Sequence, residues 1–346
     1  MRNVAILIVV LGFFLPCFGE LAHVVVVDYG QDLLTFDPHT GSPTGSLLQS
    51  NDHNVQFRGI AMDAEGNLYF GVLDSVGDPY QSGGNSYVGL ISIDGRTGEM
   101  LANPLVPGTV PGPGVMPRYN REIAVHSEYL YTAFNESVLY KEFPEGISRW
   151  RLSDGMTAGV HPSEPSNPQF VTSPGSSTIE EMAFGPDGKG YYIYGNKLYR
   201  FDPSVGGEPL LIVEDLIPSD RPVYGFESMG FGHDGALYFQ YEWAVHRFDP
   251  DAAVSGSDIF FQAPTGYERL FGVKYNAEDG LYYATALAEG TEECHLLRFG
   301  PDGQFQDIFA ESGVPGGEDI FFVPVPEPTV IGLLLGGVAC LLRRRP

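Results

Sequence analysis

The chain is short of cysteine and of positive charge. Its three cysteines are Cys17, Cys294 and Cys340, and only Cys294 stands away from the chain ends. No intrachain disulfide can form in the body. Its roughly 300 residues must hold together through a core, which at that length buries about three quarters of the unfolded surface. Cys294 has no companion His or Asn motif of a cysteine hydrolase and reads as an incidental thiol. Lysine and arginine number 19 against 44 aspartates and glutamates, for a net charge of −25. Such a surface repels nucleic acid and anionic lipid and keeps the protein dispersed. A nucleophile elbow, HExxH, a Walker loop and CxxC are all missing, and the eight histidines are dispersed. These absences remove the commonest hydrolase and zinc chemistries. Paired carboxylates for glycoside hydrolysis stay open, because their spacing is spatial rather than sequential.

Long apolar runs occur only at the ends. Residues 1–19, MRNVAILIVVLGFFLPCFG, have a basic start at Arg2, an apolar run from Val4 to Phe14, and small residues Cys17 and Gly19 before Glu20. That is the layout of a secretory signal peptide, with export through the Sec machinery. At the other end, Thr329 to Leu342 carries no charge. As a helix it would reach about 21 Å, short of the roughly 30 Å hydrocarbon core. Arg343, Arg344 and Arg345 follow it, and positive flanks stay on the cytoplasmic side, so the body lies outside the inner membrane. Pro326-Glu327-Pro328, a short apolar helix rich in Gly and Leu, and a terminal arginine cluster resemble the PEP-CTERM sorting signal of Gram-negative bacteria. The resemblance covers residues 325–346. It implies that the tail holds the exported protein transiently at the inner membrane until an exosortase-type enzyme acts near the Pro-Glu-Pro motif. It also implies a final place at the cell surface or in the extracellular matrix, beside exopolysaccharide.

Between the ends a phrase recurs: GIAMDAEGNLYFGVLD at 59–74, EMAFGPDGKGYYIYGN at 181–196, SMGFGHDGALYFQYEW at 228–243, GVKYNAEDGLYYATAL at 272–287, and more loosely EIAVHSEYLYTAFNES at 122–137. Each copy has an alternating strand, a turn bearing Asp, Asn or Gly, and a second strand rich in Tyr, Phe and Leu. A second phrase follows, as in LLTFDPHTG at 33–41 and KLYRFDPSVG at 197–206, and supplies a third strand turning into a fourth. Four short antiparallel strands repeated every 44–63 residues describe propeller blades. Ile60, Ile123, Met182, Met229 and Val273 mark five first strands. The N-terminal segment has a second, third and fourth strand but no first; EDIFFVP at 318–324 supplies it, aligning Ile320 with Ile60. The fold class expected is all-β, a six-bladed propeller over residues 20–324, closed by pairing of the C-terminal strand with the N-terminal blade. The phrase G-I-A-M-D-x-x-G-N-L-Y-F resembles the NHL repeat, and the ring resembles regucalcin-like and gluconolactonase propellers.

Two and one residues before each aligned position stand Arg58-Gly59, Arg121-Glu122, Glu180-Glu181, Glu227-Ser228, Phe271-Gly272 and Glu318-Asp319. Carboxylates and arginines thus gather near the channel mouth. Oxygen ligands converging from several strands suit Ca²⁺. The regucalcin-like resemblance implies one metal that polarises a lactone carbonyl, with Glu122, Glu181, Glu227 and Asp319 the nearest matches; neither the companion asparagines nor a catalytic residue is identified. The structural alternative is that these charges pair across blades and staple them. Long insertions at 75–87, 106–119, 135–145 and 161–177 belong to the face on which the first strands begin, where binding loops sit. The aromatics Tyr80, Tyr119, Trp243 and Tyr267, in loops expected on that face, suit sugar rings. FDPHTG and its relatives lack the closing Glu of a calcium loop and read as hairpin turns. Three functions follow in order: a non-catalytic surface or matrix propeller, a Ca²⁺-dependent lactonase or esterase, and a carbohydrate binder.

Overall fold

The computed structural model describes residues 21–27, 32–49, 55–74, 88–106, 120–134, 146–153, 169–175, 179–218, 225–252, 256–314, 316–317 and 319–325, without the side chains of 49, 55–58, 71–74, 88–91, 102–106, 120–121, 134 and 169. The signal segment 1–19, the sorting motif Pro326, Glu327 and Pro328, the apolar helix after it and Arg343, Arg344 and Arg345 lie outside the described residues. No helix among the described residues is long and apolar enough to cross a membrane.

Alternating apolar residues and turn-forming Asp and Gly give 24 described strands in six four-stranded antiparallel sheets, the six-bladed propeller expected from the repeat. The innermost strands are Val55–Met62, Asn120–His126, Ile179–Phe184, Phe226–Phe231, Tyr267–Asn276 and Ile320–Pro324. They carry the aligned residues Ile60, Ile123, Met182, Met229, Val273 and Ile320. The closing sheet takes Ile320–Pro324 from the C-terminal side and Leu21–Val27, Asp32–Phe36 and Pro43–Gln49 from the N-terminal side. Val26 faces Ile320 and Leu21 faces Pro324 in antiparallel register, so the axis-side edge of Leu21–Val27 is covered.

Each hydrophobic cluster is shared by two neighbouring sheets. Tyr131, Ile147 and Phe170 meet Met182, Tyr192 and Phe201 across one gap, and Ile193 and Leu198 meet Met229 and Phe239 across the next. The closing sheet sends Val24, Val26 and Ile320 against Tyr283 and Leu296, and Val25, Leu33 and Val323 against Leu68, Phe70 and Ile93. Most aromatics of the repeat are spent here: Tyr131, Tyr191, Tyr192, Tyr282 and Tyr283 are fully buried.

The repeated turn residues also have structural work. On the first hairpin, Tyr69, Tyr191, Tyr238 and Tyr283 donate their hydroxyls to Asp63, Asp187, Asp234 and Asp279 at 2.9, 2.9, 3.1 and 2.6 Å. On the second, Asp37, Asp94, Asp202 and Asp249 accept backbone N–H groups within their own turns at 2.8–3.0 Å. These are hairpin turns, as the missing Glu indicated. The glycine ending such a turn presses on the preceding blade: a Cβ at Gly41 would lie 1.8 Å from the Phe309 carbonyl oxygen, and one at Gly206 2.4 Å from that of Phe170.

One expected connection is divided. The run 161–177 contains Gln169–Thr172, the fourth strand of its sheet, because Phe170 and Val171 are buried. The strands joined here are therefore the third, Gly146–Arg151, and the fourth of one sheet, not a fourth and the next first; residues 161–168 lie outside the described residues.

Two tests follow from this packing. Gly41→Ala is expected to lower unfolding stability by about 3 kcal/mol or more, since the backbone must move. Gly188→Ala, with a similar φ of +72° and nothing within 4 Å, is expected to cost only about 1–2 kcal/mol of left-handed strain; equal losses in denaturant titrations would contradict the close approach. The second concerns His246, buried against Phe239 with its Nδ1 3.2 Å from the Ser257 hydroxyl. Burial pushes its pKa down to about 4. Between an ordinary value near 6.5 and that figure the unfolded chain binds a proton that the native protein refuses, so stability falls as the solution is acidified, by up to about 3 kcal/mol near pH 4. His246→Leu is expected to flatten the thermal midpoint against pH across that window, and an unchanged slope would show that the imidazole is not held neutral.

Candidate functional site

The six inner strands surround a cavity of about 340 Å³ on the propeller axis. Its lining is graded. Glu122, Glu181, Ser228, Lys274 and Asp319 give it polar groups, while Met62, Val125, Phe184, Phe231 and Tyr275, two residues beyond the aligned positions, give it an apolar stretch.

The doublets that align in sequence do not form one ring of acids. In five of the six sheets the pairing register slips between the start of the inner strand and its aligned residue, as at Ile179/Glu181 and Phe226/Ser228. Such a bulge inserts an unpaired residue and re-aims its neighbours. Glu122, Glu181 and Asp319 line the cavity, whereas Glu180 and Glu227, each at a slip, turn to the next blade. Glu180 accepts the backbone N–H groups of Gly225 at 2.8 Å and Phe226 at 3.1 Å. Glu227 pairs with Arg269. Ser228 completes the seam, accepting from the Val273 N–H at 2.8 Å and donating to the Val273 carbonyl at 3.0 Å. Blade stapling, the structural alternative, thus accounts for Glu180 and Glu227. The side chains of Arg58 and Arg121, and all of Glu318, lie outside the described residues.

Lys274 is a cavity-lining residue that the sequence reading passed over. It follows the aligned Val273, where the other inner strands carry Ala61, Ala124, Ala183, Gly230 and Phe321. Four small residues in that column leave room for one long side chain. Lys274 is half-buried in the channel wall with its Nζ 5.6 Å from the Phe321 ring centroid. Burial pulls its pKa below the usual lysine range, against the charges of Asp319 and Glu181. Burial likewise pushes Asp319 up to about 6, with Lys274 opposing. Among the described residues no three His, Cys, Asp or Glu side chains are placed to hold one metal ion. Among the described residues, Lys274 is a cation on which the charges of Asp319 and Glu181 act.

The aromatics divide. Trp243 sits in a hairpin turn and is 45% exposed, next to Glu242, whose φ is +55°. Tyr267 is not in a loop: it opens the strand Tyr267–Asn276 and its hydroxyl lies 2.8 Å from His295 Nδ1. Tyr80 and Tyr119 lie outside the described residues.

No family model matches the chain, and no curated protein does. Among solved structures, a chain of the nidogen/laminin complex is similar over 86% of this chain and 97% of its own, with 10% identity and a TM-score of 0.55. A gluconolactonase from Xanthomonas campestris covers 86% of this chain and 87% of its own, with 13% identity and a TM-score of 0.46. Virginiamycin B lyase from Staphylococcus aureus covers 81% and 73%, with 15% identity and a TM-score of 0.45. At such identities the likeness is one of fold, and it carries nothing about activity.

Glu180→Ala is expected to destabilise the protein by about 1–3 kcal/mol, because two backbone donors at the blade seam lose a charged acceptor. Glu180→Gln should recover part of that loss in the same denaturant titration. A silent Glu180→Ala would show that the seam is held elsewhere.

Proposed function

We propose that this is an exported six-bladed propeller that binds ligands at its channel mouth and upper loops without metal-dependent turnover. The observation that carries this reading is Lys274, which lines the same cavity as Glu122, Glu181 and Asp319: its ammonium would supply the positive charge that a divalent ion brings and would repel that ion from the same space. Export by the Sec route, transient attachment to the inner membrane through the C-terminal helix, exosortase-type processing at Pro326-Glu327-Pro328 and a final surface or matrix location follow from the sequence of the two ends. Matrix polysaccharide is the partner such a location offers, and the exposed indole of Trp243 is the surface group suited to a sugar face.

The second reading is a Ca²⁺-dependent lactonase or esterase. The gathering of Glu122, Glu181 and Asp319 around one cavity favours it, and such an ion would be held by those carboxylates and would polarise a carbonyl.

Thermal midpoints measured with increasing Ca²⁺ separate the two. The binding reading expects no stabilisation in the micromolar range that depends on Glu181. Stabilisation at those concentrations that is lost in Glu181→Gln would establish the metal site and overturn it. Independently, Trp243→Ala is expected to weaken retention on polysaccharide affinity gels by about 1 kcal/mol or more; full retention would remove that residue from the ligand surface.

A further inference from the structure

Both described ends of the chain leave the ring on one face. The closing strand Ile320–Pro324 starts, like every inner strand, at the channel-mouth face and finishes at the other, and Leu21 stands opposite Pro324 in the antiparallel register. A contact fixes the same placement: a Cβ on Gly66, in the turn between a first and a second strand, would lie 3.1 Å from the Pro324 Cδ. Large apolar side chains are exposed around that face. Met100, Leu101, Leu210, Ile259 and Phe305 hold the first or second position of fourth strands, Val205 sits in a turn leading into one, and all are 42–71% exposed. Met100 and Leu101 belong to one neighbour of the closing sheet and Phe305 to the other. They stand on either side of Val325, where the described chain ends.

We infer that this face is a lipid-apposed surface: with the tail inserted, the propeller sits on the headgroup layer of the membrane through Met100, Leu101 and Phe305, and its channel mouth is turned away. The reach of the chain carries the argument. Twenty-one residues follow Val325, and their uncharged run begins at Thr329. Four residues span at most about 14 Å when fully extended. The six residues of Phe226–Phe231 put roughly 20 Å between the two faces of the ring. The tail therefore cannot pass around the propeller to bring the other face to the membrane.

Lipid suits this surface better than a second copy does, because a body of net charge −25 repels itself, whereas the tail holds it beside the membrane at high effective concentration. The turns of the same face carry Asp37, Asp94, Asp202 and Asp249. The contact therefore stays at headgroup level and needs the tail to form. Trp243, in a turn between a second and a third strand, is left facing the matrix. Pro326-Glu327-Pro328 is confined to the narrow gap between ring and membrane, within reach of a membrane-embedded processing enzyme.

This rests on the reading of the tail as a membrane anchor, and the test keeps the two apart. The exported chain, residues 20–346, is prepared with Cys340→Ser. Cys294 is buried, so Leu101→Cys, Phe305→Cys or Trp243→Cys, added one at a time, takes a thiol-reactive fluorophore. Each is reconstituted into phosphatidylcholine vesicles that contain a lipid with a nitroxide on its headgroup, a short-range quencher. Flotation with the vesicles reads the anchor, and quenching reads the orientation. The expected result is loss of most of the fluorescence at positions 101 and 305 and little loss at 243. In a chain that floats, quenching at 101 and 305 no greater than at 243 overturns the inference and leaves the anchor standing. Shielding of 101 and 305 from aqueous iodide before vesicles are added also overturns it, by assigning the rim to a second copy or to the tail itself. A chain that does not float overturns the anchor and this inference with it.

Discussion

The pairing of Ile320–Pro324 with Leu21–Val27 is the interaction on which the ring depends, because the cores of this protein do not lie within blades but between them. A blade alone is a twisted four-stranded sheet with two apolar faces and no partner. The closing sheet covers Tyr283 and Leu296 on one side and Leu68, Phe70 and Ile93 on the other. Were its inner strand lost, two of the interblade clusters would be weakened together. Chain termini far apart in sequence thereby become the most consequential contact in the molecule.

Once the ring is closed, its radius is held by contacts that run from each blade to the next. Near the axis these are Glu180 to the Gly225 and Phe226 amides, Glu227 to Arg269, Ser228 to the Val273 backbone, and Thr285 to the Gly317 carbonyl. At the periphery they are turn glycines seated on the neighbouring backbone. Polar groups at the axis thus serve two purposes, and the bulge at the start of an inner strand decides between them. A residue displaced by the bulge turns into the seam, while its neighbour keeps its place on the cavity wall.

The cavity itself is a problem in charge. Acids brought together by rotational repetition raise the cost of ionising one another and of desolvating each carboxylate. Nature's two remedies are a bound cation or a cation on the chain, and Lys274 is of the second kind. It enters where Ala61, Ala124, Ala183 and Gly230 leave space on the other inner strands. An ammonium in such a place is a structural counter-charge, held there against the cost of its own desolvation.

The sequence by itself determined the class of fold, the number of blades and the closure, because period-2 alternation, hairpin residues and the repeat length are local properties that survive without coordinates. It also showed that FDPHTG and its relatives are turns. It did not separate Glu180 from Glu181 or Glu227 from Ser228, since an alignment places adjacent residues in one column pair whereas a bulge sends them to different surroundings. It missed Lys274, whose oddness against a column of small residues was visible but had no meaning until six strands faced one axis. Local patterning is written along the chain; which charges share a space, and which are separated by a single inserted residue, is decided only when distant strands converge and low dielectric makes their proximity count.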